Sequence, residues 1–230
     1  MSLIFAAAIL ELFAGEVVIP DDDEHWRANV AGLLATMRTP DGGFAKTPEG
    51  HAGSTYQTFL AILCHELMDV PVPDPDAVAA FLQSQSLDDG GYREIRVAKR
   101  AGVNPTAAAI GSLKAIGRLE PDAHEPTISF LAEMQTPEGG LTANTRIPFP
   151  DLLSTCTGLI TLADLQSDDV LHGPALIRYA RAMQRRDDRG ELTGGFVGFE
   201  LDQETDVEYT FYGVATLCLA VTLYPDPEAV

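Results

Sequence analysis

Four Gly-Gly pairs divide the chain at nearly regular intervals, and they constrain its fold more than any other feature. The pairs fall at residues 42 and 43, 90 and 91, 139 and 140, and 194 and 195, with spacings of 48, 49 and 55 residues. A period of this length is typical of proteins built from stacked copies of one supersecondary unit. We therefore expect four copies of the same unit.

Each Gly-Gly pair lies between two kinds of apolar segment. Before the pair, apolar residues recur at helical spacing, as in Val78, Phe81 and Leu82, which predicts an amphipathic outer helix. After the pair comes a segment that is apolar nearly all round, which predicts an inner helix buried on most sides. The four inner segments are "STYQTFLAILCHEL", "NPTAAAIGSLKAIG", "DLLSTCTGLITLADL" and "DVEYTFYGVATLCLAVTL".

The inner segments share one register, counted from the second Gly of each pair. Position +15 is Thr58, Thr106, Thr155 and Thr210. Position +11 is Ser54, Gly102, Asp151 and Asp206. Ser and Asp are good helix N-caps, so the register predicts that each inner helix begins just after position +11. It also predicts Asp151 and Asp206 as plain N-cap residues.

A helical hairpin cannot bury its apolar face alone, so neighbouring repeats must stack into a solenoid or a closed ring. The apolar N-terminal stretch, residues 2–15, has no basic flank and is too short to span a bilayer. We interpret it as one further inner helix rather than a signal peptide. The sequence thus predicts about four and a half repeats in a single domain over residues 1–230.

Charge and cysteine content narrow the function classes. Lys and Arg number 15 against 34 Asp and Glu, a formal charge of −19, which argues against a nucleic-acid partner. The three cysteines are far apart and odd in number, which argues against a disulfide framework and favours a cytoplasmic location. No transmembrane segment is expected.

The stretches "FLQSQSLDDGGY", "FLAEMQTPEGGL" and "DVEYTFYGVATL" resemble the repeats shared by protein prenyltransferase β-subunits and squalene or terpene cyclases. Gln85, Gln135 and Gln184 stand at the predicted ends of outer helices, where that family places Gln, and the first repeat has Arg38 or Met37 there. The resemblance implies an all-α fold, the α/α toroid. It also implies a funnel lined by inner helices, which holds an isoprenoid in relatives.

The resemblance also implies where a zinc ion would be bound. Prenyltransferase β-subunits use an Asp and a Cys at the start of one inner helix and a His just before the Thr of the next. Asp151 matches the Asp and is a weak candidate metal ligand, but the Cys position is Leu153 and the His position is Tyr209. Zinc is therefore possible but disfavoured, and zinc-dependent catalysis is doubtful.

Another pair of metal-ligating residues, Cys64 and His65, is adjacent in the sequence. Neighbouring residues on a helix point about 100° apart, so the pair does not present two ligands to one ion. We expect His65 to lie at the polar edge of its helix.

A set of polar and aromatic residues near the inner-helix starts is predicted to line the funnel: Tyr56, Gln57, Ser154, Cys156, Tyr209 and Tyr212. The favoured function is a prenyltransferase-like toroid that binds an isoprenoid or a partner protein in its funnel. The alternative is an active protein prenyltransferase acting on a protein thiol. A helical α-subunit-like partner or a second copy of the chain is possible in either case.

A terpene cyclase fragment is a less favoured interpretation. Class II cyclases use the middle acid of Asp-x-Asp-Asp as a proton donor, and residues 21–24 fit that motif poorly. Aromatic residues form 7% of the chain, which is few for a cavity that must stabilise a carbocation.

Overall fold

The structure, a computed structural model, describes residues 25–120, 124–187 and 189–225. Within these ranges the chain forms eight α-helices, a short 3₁₀ helix and one two-stranded antiparallel hairpin. The helices are α1 Trp26–Thr36, α2 Thr55–Leu67, α3 Pro75–Gln83, α4 Val103–Ala115, α5 Glu125–Glu133, α6 Leu152–Asp164, α7 Gly173–Ala182 and α8 Val207–Leu223, with the 3₁₀ helix at Asp168–Val170 and strands β1 Gln184–Arg186 and β2 Leu192–Phe196. The helix predicted over residues 2–15 and the acidic run 21–24 lie outside the described residues.

The helices alternate as the repeat predicts. The outer helices are α1, α3, α5 and α7, and the inner helices are α2, α4, α6 and α8. Every inner helix begins at the residue that follows position +11, so the predicted starts are confirmed. Proline opens three of the outer helices, where its fixed φ suits the first turn and its missing N–H has no helical partner to lose.

The chain forms two compact units, and α4 contributes residues to both. Among the described residues, unit 1 comprises residues 25–86, 93–99 and 108–119, and unit 2 comprises residues 87–92, 100–107, 120, 124–187 and 189–225. In unit 1 a core of Leu34, Cys64 and Met68 joins α1 to α2, with Trp26 and Val30 packed beside it. The expectation of one domain over residues 1–230 stays a prediction.

Unit 2 has two apolar cores. The larger one is built from α5, α6, α7 and the corner between residues 101 and 103, and it centres on Leu131, Leu159 and Leu176, all fully buried. The smaller one joins the C-terminal half of α7 to the end of the hairpin, and it includes Met183, Phe196 and Val197. These cores hold α6 and α8, whose first turns contain most of the predicted site residues.

The Thr at position +15 explains why the repeat keeps its register. Each Thr hydroxyl accepts a hydrogen bond from the backbone N–H of the residue that follows the Gly-Gly pair. The donors are Phe44, Tyr92, Leu141 and Phe196, at 2.9, 2.9, 2.9 and 3.2 Å from Thr58, Thr106, Thr155 and Thr210. Three of the Thr hydroxyls also donate to the carbonyl of the +11 residue. The Thr therefore ties each corner to the first turn of its inner helix.

The first Gly of a pair is required by its backbone conformation and by the helix that packs on it. Gly139 has φ +109, a left-handed conformation that other residues rarely adopt. A Cβ there would lie 2.2 Å from the carbonyl oxygen of Ala175, in the first turn of α7. Gly42 and Gly90 have the same geometry against α3 and α5. The outer helix of the next repeat thus packs directly on the corner.

A second backbone hydrogen bond links consecutive repeats. The N–H of the first residue of an inner helix donates to a carbonyl three residues after the next Gly-Gly pair. The pairs are Thr55 to Glu94, Val103 to Ala143 and Leu152 to Gly198, each at 2.9 Å. These bonds satisfy N–H groups that a helix N-terminus leaves without an intrahelical partner.

The fourth repeat differs from the prediction. The amphipathic run before Gly194 was expected to continue as an outer helix, but α7 ends at Ala182 and the chain enters the hairpin of β1 and β2. The turn is stabilised by Asp187, whose carboxylate accepts from the N–H groups of Arg189 and Glu191, at 2.9 Å each. The additional residues of this repeat are accommodated in the hairpin.

Gln85, Gln135 and Gln184 each stand two positions after the end of an outer helix. In the first repeat the residue at this position is Arg38. The Arg38 guanidinium donates to the carbonyl of Pro73 at 2.9 Å. Gln135 accepts from the N–H of His172 at 2.8 Å. Both side chains therefore fix the segment that leads into the next outer helix.

The prediction for His65 is wrong. Its side chain is buried, with 1% exposure, and Nδ1 lies 3.3 Å from the carbonyl oxygen of Val70. Burial lowers the pKa of the imidazole, which is therefore neutral near pH 7. The ring lies against the segment that follows α2, where the Val70 carbonyl is its polar contact.

Candidate functional site

Asp151 lies at the start of α6 and acts as its N-cap. Oδ1 accepts from the backbone N–H of Ser154 at 2.7 Å, and Oδ2 accepts from the Ser154 hydroxyl at 2.8 Å. Burial raises the pKa of the carboxyl, an effect that the hydrogen bonds from Ser154 partly offset. The predicted N-cap role is confirmed, and so is that of Asp206, which accepts from the N–H of Tyr209 at 2.7 Å.

The two other positions of the implied zinc site carry poor ligands. Leu153 is half-buried and has no donor atom. Burial raises the pKa of the Tyr209 hydroxyl, and the charges of Asp151 and Glu208 add to that shift, so the phenol stays protonated. In the ranges that the structure describes, no three His, Cys, Asp or Glu side chains are arranged to hold a metal ion. The donor set around Asp151 does not fit the three or four N, S or O ligands that zinc takes.

Tyr209 and Tyr212 form an aromatic pair on the first turns of α8. Their ring centroids lie 6.2 Å apart at an interplanar angle of 69°, an edge-to-face arrangement. The Tyr209 ring covers Gly198, where a Cβ would come within 2.6 Å of it. The Tyr212 hydroxyl donates to Glu208 at 3.1 Å. Both rings are partly buried and pack against the smaller core of unit 2.

Ser154 and Cys156 lie in the first half of α6. Both have 0% exposure, so protein atoms cover them completely in this arrangement. Burial raises the pKa of the Cys156 thiol to about 11, which leaves it protonated and unreactive at neutral pH. Their predicted contact with a ligand stays a prediction.

A continuous apolar stripe on α8 is exposed, which sequence reasoning did not anticipate. Its members are Val207, Phe211, Val214, Cys218 and Val221. Val207 is 87% exposed and Phe211 64% exposed. Because a helix turns 100° per residue, these five positions fall within about 80° of one another. The prediction that this inner helix is buried on most sides is wrong for α8.

The exposure of the stripe follows from which neighbours α8 has in unit 2. The helix packs on α6, α7 and β2 through its opposite face, where Gly213, Thr216 and Ala220 are buried. The sequence signal that could have indicated the stripe was the apolar pattern all round α8, because such a pattern indicates a helix without a solvated polar face. It does not report which side its neighbours occupy.

A family model for the prenyltransferase α-α toroid domain matches residues 2–104 and 107–225. The chain belongs to the prenyltransferase α-α toroid family. The family and the all-α toroid fold that the repeat motifs predicted are therefore confirmed.

Among solved structures, this toroid is similar to a chain of Candida albicans protein geranylgeranyltransferase-I complexed with GGPP. The TM-score is 0.69 and the sequence identity 17%, with 82% of this chain and 59% of that chain covered. At this identity the similarity supports the fold alone. The toroid thus spans somewhat over half the length of its structural relative.

A second similarity is local. Glyceraldehyde-3-phosphate dehydrogenase 1 from Streptomyces avermitilis is 29% identical over 83 residues, which cover 36% of this chain and 25% of that protein. A match over a quarter of the relative establishes no shared activity.

Two of the predicted funnel residues of the toroid lie in unit 1, on the first turn of α2. Tyr56 is 50% exposed, and Gln57 is half-buried with its backbone N–H donating to the Ser54 hydroxyl at 3.1 Å. The other four lie in unit 2, where Ser154 caps with Asp151 and the two tyrosines pair on α8.

The described helices of the toroid are short or carry polar residues. None of them has both the length and the apolar character needed to cross a membrane.

Proposed function

We propose that this toroid binds an isoprenoid on the apolar faces of its inner helices and does not catalyse zinc-dependent transfer to a thiol. One observation carries the proposal. Large apolar side chains are exposed on three of the four described inner helices, α2, α6 and α8, whereas Leu33 is the one such residue on the described outer helices. The exposed inner-helix residues are Tyr56, Leu67, Ile160, Val207, Phe211, Val214 and Val221. Four of these residues lie on one face of α8 in unit 2, and an exposed apolar patch of this kind marks a surface that a lipid or a protein covers.

The structural relative supports an isoprenoid as the ligand, because it is a protein geranylgeranyltransferase-I complexed with GGPP. Each methylene group taken out of water contributes ~0.8 kcal/mol. Micromolar affinity corresponds to ~8 kcal/mol, so an isoprenoid chain has enough apolar groups to reach it after the entropy cost of association.

The positions that would hold zinc lack suitable donor atoms, which is why we propose no zinc-dependent transfer. In the protein prenyltransferases that the chain resembles, zinc deprotonates and orients the attacking thiol. Here the Cys position is Leu153 and the His position is a protonated Tyr209. Both oxygens of Asp151 accept hydrogen bonds from Ser154.

The free cysteines agree with a reducing, cytoplasmic location.

A partner protein is the second candidate, favoured by the spacing of the α8 stripe. Apolar residues at i, i+4, i+7, i+11 and i+14 form the seam that a second helix packs against in coiled coils. A helical subunit, or a second copy of the chain, would cover it.

Thermal-shift and calorimetric titrations of the metal-free protein with farnesyl and geranylgeranyl diphosphate test the proposal. We expect both lipids to raise the melting temperature, since a ligand that binds the folded state stabilises it. Phe211→Ser should weaken binding, while Leu33→Ser, at an equally exposed position on an outer helix, should not.

Three outcomes would change the proposal. If neither lipid binds, the isoprenoid function is wrong. A mass that doubles with concentration and falls on Phe211→Ser would favour the partner-protein candidate. Stoichiometric zinc that is lost on Asp151→Ala, together with transfer of the prenyl group to a thiol peptide, would show that the protein is an active transferase.

A further inference from the structure

The loops that follow the Gly-Gly pairs contain a tight turn at the same register in all four repeats. Counted from the second Gly, the N–H at position +7 donates to the carbonyl at position +4, which closes a β-turn. The donors are Gly50, Ala98, Ile147 and Asp202, at 3.0, 2.9, 3.2 and 3.0 Å from the carbonyls of Thr47, Ile95, Asn144 and Phe199. The side chains at positions +5 and +6 are exposed in every repeat. Each repeat therefore presents two side chains at an equivalent place.

The turns of the second and fourth repeats differ from the other two in being apolar at positions +4 and +6. In the second repeat these residues are Ile95 and Val97, which are 40% and 80% exposed. In the fourth they are Phe199 and Leu201, which are 37% and 67% exposed. The first and third repeats have polar or charged residues at both positions, namely Thr47, Glu49, Asn144 and Arg146. Apolar side chains grouped at the surface in this way are typical of a surface that a partner covers.

The charged residues of these two loops are opposite in sign at matching positions. Position +5, between the two apolar residues, is Arg96 in the second repeat and Glu200 in the fourth. Position +9 shows the same contrast, with Arg100 and Glu204. We call residues 95–100 the basic loop and residues 199–204 the acidic loop. The two loops have apolar residues at the same places and complementary charges beside them.

These charges are available to a partner. Among the described residues, no carboxylate lies within salt-bridge distance of Arg96, Lys99 or Arg100, although the chain has 34 Asp and Glu against 15 Lys and Arg. No Lys or Arg of the same ranges lies within that distance of Glu200 or Glu204. Exposed and unpaired charges of opposite sign attract one another when two surfaces meet, and they suppress pairing of like with like.

Hydrogen bonds at the base of each loop hold it in place. In the second repeat the N–H of Gly102 donates to the carbonyl of Tyr92 at 3.0 Å. In the fourth, the Asp202 carboxylate accepts from the N–H groups of Gly198 and Glu204, at 3.4 and 3.2 Å. A loop that is already ordered loses less conformational entropy on binding than a flexible one.

We propose that the basic loop of one copy of this chain binds the acidic loop of a second copy. Arg96 pairs with Glu200, and the apolar residues on either side of each charge pack against those of the other loop. A second copy is the partner because this chain itself carries both complementary loops. The two surfaces differ, so the contact is heterologous and leaves one loop free at each end unless the assembly closes into a ring. The contact involves no residue of the α8 stripe and does not depend on the proposed function.

Light scattering and sedimentation velocity of the full chain at pH 7 test this contact. Two loops bury an area at the lower end of protein interfaces, so we expect a mass that rises with concentration between about 10 µM and 1 mM. Raising sodium chloride from about 50 mM to about 500 mM should weaken the association several-fold, because salt screens the exposed charges.

Charge reversal on each loop identifies the two surfaces. Arg96→Glu and Glu200→Arg should each weaken self-association at least tenfold, because the two loops then carry like charges. An equimolar mixture of the two variants should associate as the wild type does, since each variant supplies the loop that the other has lost. Arg146→Glu and Glu49→Arg make the same charge changes on exposed turns of the third and first repeats and should keep the wild-type mass.

The proposal is overturned if the wild type stays monomeric at 1 mM in low salt, if its association survives both charge reversals, or if the mixture of variants stays monomeric. Association that is lost on Phe211→Ser but kept in Arg96→Glu would place the contact on the α8 stripe instead. Isoprenoid binding is measured separately and should be unchanged in Arg96→Glu, so the two proposals fail independently.

Discussion

The hydroxyl of Thr155 accepts a 2.9 Å hydrogen bond from the backbone N–H of Leu141, which joins the first turn of α6 to the corner that precedes it. Both residues have 0% exposure. The same hydrogen bond occurs at the other three corners, so each of the four repeats depends on one Thr hydroxyl.

Removing that hydroxyl should destabilise the protein strongly. Thr155→Val keeps the shape of the side chain but leaves the Leu141 N–H buried without an acceptor, at a cost of ~1–3 kcal/mol in the free energy of unfolding. Thr155→Ser keeps the hydroxyl and should lose less. Urea denaturation measures both, and a larger loss for Thr155→Ser than for Thr155→Val would show that the methyl group, rather than the hydrogen bond, is what matters.

Two glycines separate the effect of backbone conformation from that of packing. Gly139 and Gly194 have φ +109 and +89, but a Cβ on Gly139 would meet the Ala175 carbonyl, whereas Gly194 has nothing within 4 Å. Gly194→Ala should cost ~1–2 kcal/mol from the left-handed conformation alone. Gly139→Ala should cost clearly more, because α7 must move. Similar melting temperatures for the two variants would argue against the close packing of α7 on the corner.

The Cys156 thiol should make stability fall at alkaline pH. Its pKa is raised by burial from 9.0 to about 11, so the unfolded chain loses this proton first as the pH rises. The folded state then binds more protons than the unfolded state, and stability falls between pH 9 and 11 by ~2–3 kcal/mol.

The matched variant is Cys156→Ala, which should have a flatter pH dependence than wild type over that range, measured by urea denaturation at each pH. Thiol labelling gives an independent reading, since the exposed Cys218 should react rapidly in the folded protein and Cys156 should not. Rapid labelling of both would contradict the burial of α6.

Tyr179→Phe should raise the free energy of unfolding by ~1 kcal/mol, because the Tyr179 hydroxyl is buried without a hydrogen-bond partner among the described residues and costs its desolvation energy. Tyr212→Phe is the comparison. It loses a hydrogen bond to Glu208 at the surface and should change stability by less than ~0.5 kcal/mol. A destabilised Tyr179→Phe would mean that the hydroxyl has a partner in the folded protein.

Much of the fold was predictable because each repeat needs particular residue types at fixed distances from its Gly-Gly pair. Position +11 marks a helix N-cap and position +15 a hydroxyl that the corner needs, so both could be read by counting from a Gly. The first three Gly-Gly pairs are explained by the outer helix that packs on them. Asp151 as an N-cap belongs to the same local chemistry.

What could not be predicted depends on neighbours that are distant in the sequence. The burial of His65 cannot be read from its polar side chain, and the α8 stripe is exposed because α6 and α7 pack on the opposite face. The hairpin that ends at Phe196 replaces helix where the fourth repeat is longer. In the sequence, Tyr179 occupies the same apolar position of an outer helix as Phe130. Only the structure around the side chain distinguishes the two residues.

Calorimetric titration of geranylgeranyl diphosphate into the EDTA-treated protein tests the central claim most directly. The account predicts saturable binding with a negative heat-capacity change, unaltered by added zinc and weakened by Phe211→Ser, because the ligand is held by apolar contacts with inner helices. Absence of binding, or binding that appears only when zinc is added, would contradict it.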